Sequence, residues 1–185
     1  MKISLSFILL VLFSLYIGYF DNLLIFIFCL LLHECGHLLF IILFKVKINK
    51  FKLSISGGLL NLDLYTFNKL TKNKKILIYS MGVIINLFLY YIFKNSLFGK
   101  YNLLLFVFNS LPIYPLDGYN ILKLLLNKTF INNLSIVSIT ILFIVSIYTN
   151  SVGLFIISII LVYKNIIYFK EKEKNYLINL INNMI

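Results

Sequence analysis

Polar positions are scarce along this chain, and they gather in clusters that leave long apolar runs between them. Six such runs, near 3–20, 22–44, 76–93, 101–126, 131–149 and 152–170, approach the ~20 residues a helix needs to cross a bilayer. Between the second and third runs the period changes. Phe51, Leu53 and Ile55 alternate with Lys52, Ser54 and Ser56; Gly57-Gly58 intervenes; then Leu60, Leu62 and Leu64 alternate with Asn61 and Asp63. A period of two on either side of a glycine pair predicts a β-hairpin. The pattern therefore predicts an all-α membrane protein of about six transmembrane helices, with one short β-hairpin between spans two and three. Residues 1–170 form one six-span domain and 171–185 a short tail.

Composition agrees with a bilayer as the solvent. Hydrophobic residues make up 61% of the chain, charged residues 12%, and the mean hydropathy is +0.98, against about 25% charged in soluble domains. Residues 1–20 begin like a signal peptide, with Lys2 before an apolar run. No small-x-small cleavage pattern precedes Asp21, however, so an uncleaved first span is expected. The net charge of +11 comes from 17 lysines and no arginine. With both termini cytoplasmic, the inside segments hold 15 of these lysines and only Lys94 and Lys100 lie outside, the asymmetry that the positive-inside rule requires. Lysines flanking spans serve topology and anionic-lipid contact, and without arginine there is no bidentate readout of bases, so no nucleic-acid partner is expected. Richness in Lys, Asn, Ile, Phe and Tyr is that of an A/T-rich genome. Cys29 and Cys35 fall in one span on different helix faces and predict no disulfide. Cys35 lies about 200° around the helix from His33 and is expected to pack rather than bind metal.

Two histidines stand in the whole chain, His33 and His37, with Glu34 between them in an otherwise apolar stretch, LLHECGHLLF. On a helix they project about 40° apart, so both imidazoles can reach one zinc ion while Glu34 lies beside a water at that ion. Chance placement of two histidines four apart, with a glutamate following the first, runs at roughly 1 in 6,000 for this composition. The chemistry implied is hydrolysis.

The other acidic residue of interest is Asp117, inside the fourth apolar run in Asn109-Ser110-Leu111-Pro112-Ile113-Tyr114-Pro115-Leu116-Asp117-Gly118, which holds both prolines of the chain. An aspartate within a span costs about 2.5–3.5 kcal/mol on insertion scales and so needs a partner or a polar cavity. Pro112 and Pro115 each remove a helical hydrogen bond, and the stretch is expected to be kinked or unwound. Counted at ~1.5 Å per residue from the outer boundary, His37 and Asp117 lie ~22 and ~24 Å deep, one level in the cytoplasmic half of the bilayer. His33, His37, Asp117 and a water would make a four-coordinate zinc site of the catalytic kind.

HECGH in an early span with NSLPIYPLDG in a later one resembles the site-2 protease family of intramembrane zinc metalloproteases, and the compact six-span layout is most similar to its stage IV sporulation factor B branch. The resemblance implies that His33, His37 and Asp117 bind zinc and that Glu34 is the catalytic base. Gly82-Val83-Ile84-Ile85-Asn86 is similar to the family's G-P-x-x-N element, with Val83 where proline is usual; Tyr119 replaces a frequent second glycine after LDG. With about 15 residues after the last span and short loops, neither a CBS nor a PDZ domain is expected. The resemblance also implies that the hairpin is membrane-associated and that its edge pairs with an extended substrate strand, holding open a segment that would otherwise be shielded as helix; the plainer reading is a surface hairpin flanked by topogenic lysines.

Asn86 and Asn109 are amides inside spans and are costly unless paired. Both are candidate substrate-binding residues, through the substrate backbone or the developing oxyanion. The motif favours Asn109 for this, whereas interhelical hydrogen bonding is the slightly preferred reading of Asn86. Gly36 would let a neighbouring helix approach the metal face. The expected function is a zinc endopeptidase in a bacterial cell membrane, cleaving a membrane-embedded or membrane-associated regulatory protein, such as a sporulation sigma-factor precursor or an anti-sigma factor, near the cytoplasmic side. Membrane regulatory partners fit this regulated intramembrane proteolysis. The alternative is a non-hydrolytic membrane protein that binds or carries a metal ion; Glu34 discriminates, because a carrier needs no base beside two histidines.

Overall fold

The computed structural model describes residues 2–3, 18–54 and 57–182. The expected first span, 3–20, lies almost wholly outside them. The described elements run in the order β1 (Lys2–Ile3), α1 (Phe20–Leu43), β2 (Ile48–Ser54), β3 (Gly57–Leu62), α2 (Leu64–Asn68), α3 (Lys72–Ile92), α4 (Leu97–Ser110), α5 (Asp117–Leu125), α6 (Lys128–Tyr148) and α7 (Val152–Asn182). The chain divides into two compact units, Met1–Ser110 and Leu111–Ile185.

Among the described residues, four helical segments are long and apolar enough to cross a bilayer: Phe20–Leu43, Lys72–Ile92, Thr129–Tyr148 and Val152–Glu171. Their side chains are sorted inversely to those of a water-soluble protein. Leu24, Phe28, Ile42, Phe88, Ile144 and Ile156 are exposed, while His33, His37, Asn86, Ser135 and Asn165 are buried. Such sorting is stable where the surroundings are hydrocarbon, which solvates leucine well and an unpaired amide badly.

In the first unit α1, α3 and α4 pack together. Gly36 of α1 makes close approach possible, since a Cβ there would lie 2.8 Å from Ile85 Cδ1 and 2.9 Å from the Met81 carbonyl oxygen of α3. Between α1 and α4, Asn102 donates to Cys29 Sγ at 3.2 Å and to Phe98 O at 2.9 Å. Cys29 is buried, but Cys35 is exposed, which corrects its expected packing role: the far side of α1 from His33 is its outer face. Beyond the C-terminus of α1, Ile41, Val46 and Ile78 form an apolar cluster with Phe40, Phe44, Leu62, Phe67 and Leu70 around it. That cluster fixes the start of α3 against the end of α1. β2 and β3 pair antiparallel, Phe51 opposite Leu60 and Leu53 opposite Gly58, with an irregularity between Ile48 and Lys50. β1 pairs parallel with β2, so among the described residues the sheet order β1-β2-β3 leaves β3 at an edge. Asp63 then caps α2, its carboxylate accepting from Thr66 N–H at 3.1 Å. That bond holds the Asp63 carboxyl below the ordinary aspartate range.

In the second unit α6 packs against α5 and α7. The turn between α6 and α7 has Asn150 at φ 49°, a left-handed conformation that asparagine tolerates better than most residues. The run 101–126 is not one continuous helix. α4 ends at Ser110 and α5 begins only at Asp117, because neither Pro112 nor Pro115 can donate a helical hydrogen bond and each obstructs the turn before it. The depth estimate for Asp117, which counts helical rise through this stretch, therefore does not hold across 111–116.

Candidate functional site

α1 carries His33, Glu34 and His37 on uninterrupted helix, and all three are buried. The imidazole of His37 is fixed at its Nδ1, which lies 2.7 Å from Ile78 O. A carbonyl only accepts, so this Nδ1 carries the proton and Nε2 keeps a lone pair. His33 is held at its own Nδ1, 3.0 Å from the Asn86 amide on α3. The two Nε2 atoms face each other at 3.1 Å and the rings meet edge to face, with centroids 4.7 Å apart.

This pair fits a zinc ion. Two imidazole nitrogens at ~2.0–2.1 Å from a tetrahedral zinc stand about 3.3 Å apart, close to the observed separation. Both rings are gripped by α3 at the nitrogen facing away from that position, as ligating histidines ordinarily are. Gly82 completes the cradle: a Cβ at this position would come within 2.7 Å of Cε1 on both His33 and His37. No residue with a side chain leaves room there. Gly82 precedes Asn86 by four residues, one turn along the same helix face. Its place in the GVIIN element was legible, but the reason for glycine was not, because a close approach is a property of two helices together.

Asn86 is fully buried and joins α3 to a ligand-type histidine of α1, the interhelical bond that was the preferred reading of this residue. Asn109 is half-buried near the end of α4, where its Nδ2 donates to Leu105 O at 3.1 Å, leaving its amide oxygen outside that bond.

Asp117 belongs to the second unit and opens α5. A carboxylate in the first helical turn is favoured by the unpaired N–H groups there. The break before it is tied down by groups on α6 and α7. Tyr114 N–H donates to Ser135 Oγ at 3.2 Å, Asn165 Nδ2 donates to Tyr114 O at 2.7 Å, and Ser135 Oγ donates to Asn165 Oδ1 at 3.0 Å. Both backbone polar groups of this one irregular residue are thus satisfied inside an apolar bundle. Asn120 Nδ2 serves Pro115 O and Leu116 O at 3.1 and 3.2 Å, and buried Tyr119 donates to Asn132 Oδ1 at 2.9 Å. Ser135 and Asn165 were not singled out from sequence. Each is a polar residue in an apolar span, the only local signal that marks them.

Residues 22–99 match the model of Peptidase family M50, a segment that contains His33, Glu34, His37, Gly82 and Asn86 but not Asp117. The fold matches that of a site-2 protease from Methanocaldococcus jannaschii at a TM-score of 0.66 and 22% sequence identity, covering 88% of this chain and 87% of that one. No curated protein matches the chain by sequence. The M50 match implies a bound metal, and with the membrane-embedded fold it supports a metalloprotease.

Proposed function

We propose that the chain is an intramembrane zinc endopeptidase in which His33, His37 and Asp117 hold the metal and Glu34 is the catalytic base. The observation that carries the proposal is the buried histidine pair, each ring held at Nδ1 and turned to present Nε2 toward its partner. When bound, zinc supplies Lewis acidity toward a water and the scissile carbonyl.

The chain's own residues do the rest. Glu34 takes a proton as the water attacks and returns it to the leaving amine. Asn109, at the end of α4, offers its amide to the substrate backbone or to the developing oxyanion. Burial of His33, Glu34 and His37 keeps bulk water from the site and strengthens each of these interactions. β3 contributes an edge for an unwound substrate segment. Asp63 N–H donates to Lys47 O at 2.9 Å; alternation along the strand then turns the N–H groups of Leu62 and Leu60 away from β2, toward the open edge.

In this reading the chain crosses a bacterial cell membrane about six times with both termini cytoplasmic. It cleaves a membrane-tethered regulatory protein near the cytoplasmic face; a sigma-factor precursor or an anti-sigma factor suits that position. The test is co-expression with such substrates, comparing the unchanged enzyme with Glu34→Gln. Turnover by the variant falls about 10²- to 10⁴-fold while zinc stays bound; near-normal cleavage removes Glu34 from the mechanism.

A further inference from the structure

Asn86 has one feature that a simple helix-to-helix tie does not account for. Its Nδ2 faces His33 Nδ1 at 3.0 Å, while its Oδ1, fully buried, meets no hydrogen-bond donor. A buried acceptor left this way is costly. An amide has nearly the same shape when turned through 180°, so its orientation is set by its hydrogen-bond partners and not by the space it fills.

The two orientations have opposite consequences for His33. With Nδ2 toward the ring, Nδ1 must accept, and a neutral imidazole then carries its proton on Nε2, which makes that nitrogen a donor and not a ligand. With Oδ1 toward the ring, Nδ1 carries the proton and donates, and Nε2 presents a lone pair. His37 shows the second state imposed without choice, because its Nδ1 faces the Ile78 carbonyl, which can only accept. We infer that Asn86 is a positioning residue whose carbonyl oxygen fixes His33 in the Nδ1-protonated tautomer and so makes its Nε2 a metal ligand. The inference rests on the reading of His33 as a ligand and assigns Asn86 to the ligand's support instead of to the substrate. Metal loading and amide orientation are then linked: binding at Nε2 requires Oδ1 to face Nδ1, and an amide held with Nδ2 toward the ring opposes binding.

The test is zinc affinity of the full-length, detergent-purified protein, measured by competition with a chromophoric chelator, together with turnover per zinc-loaded molecule. Asn86→Leu keeps the size and removes the acceptor; Asn86→Ala replaces it if the leucine variant does not accumulate. Asn86→Asp keeps an acceptor in the same place. Loss of an acceptor behind a ligating histidine costs about 10- to 100-fold in metal affinity, so the leucine or alanine variant is expected to weaken by that factor and the aspartate variant to stay close to the unchanged protein. The inference is overturned if Asn86→Leu or Asn86→Ala binds zinc as tightly as the unchanged protein, or if Asn86→Asp is as weak as they are. Unchanged affinity with lost turnover in all variants would assign Asn86 to the substrate. His33→Ala runs beside them: tight zinc binding by that variant defeats the ligand reading itself, an outcome separate from any result at Asn86.

Discussion

The two units solve the same problem, placing a polar group among apolar helices, by opposite means. In the first, His33 and His37 sit on unbroken helix, and their positions follow from a spacing of four and from what α3 places behind them: Ile78 O, the Asn86 amide and the open surface of Gly82. In the second, Asp117 is placed by breaking the helix. Two prolines interrupt it, and Ser135 and Asn165 then bind the backbone N–H and C=O of Tyr114 from two other helices. A helix supplies direction through its own periodicity. A break must be given direction from outside, and the residues that do so lie 21 and 51 positions away in sequence.

The contrast predicts different failures. In the first unit the sensitive element is space. Gly82→Ala puts a methyl group against both imidazoles, and because α1 and α3 are already in close approach, the rings must move. Zinc affinity should fall by about tenfold or more, with the helical content unchanged by circular dichroism. Tight zinc binding by Gly82→Ala would mean that the helices part easily and that the cradle is not rigid.

In the second unit the sensitive element is hydrogen bonding. Asn165→Leu deprives Tyr114 O of its donor and Ser135 Oγ of its acceptor, so it should lower stability by about 1–3 kcal/mol. Asn133→Leu, on the exposed face of α6, is the matched control. Thermal unfolding in detergent measures both; equal stability of the two variants would show that the break holds itself in place.

The smallest effect is expected at the sheet edge. Leu60→Pro removes an N–H from β3 that faces away from β2 and leaves the Ile41–Val46–Ile78 cluster untouched, so the β2–β3 pairing and zinc content should persist while cleavage weakens. Lys47→Ala changes charge nearby without removing an edge donor. Equal activity of the two variants, normalised to bound zinc, would retire the substrate-strand role.

The same contrast explains what the sequence made legible. HECGH could be read because a helix converts spacing into direction locally, and the two prolines foretold an interruption between 111 and 116. The apolar runs gave the long helices because bilayer thickness sets their length. What was hidden depends on pairs of elements. Gly82 matters only because His33 and His37 lie across from it, and Ser135 and Asn165 matter only because Tyr114 faces them. The helical rise used to count the depth of Asp117 does not apply across 111–116, where the chain leaves helical geometry.

The most direct test of the zinc-peptidase account is the zinc content of purified Asp117→Ala, measured per chain beside the unchanged protein and Asp63→Ala. Asp63 is a solvent-side helix cap, so its loss should leave zinc intact, whereas loss of Asp117 should lower occupancy sharply because a catalytic zinc needs three protein ligands. Full zinc occupancy in Asp117→Ala would contradict the assignment of Asp117 as the third ligand.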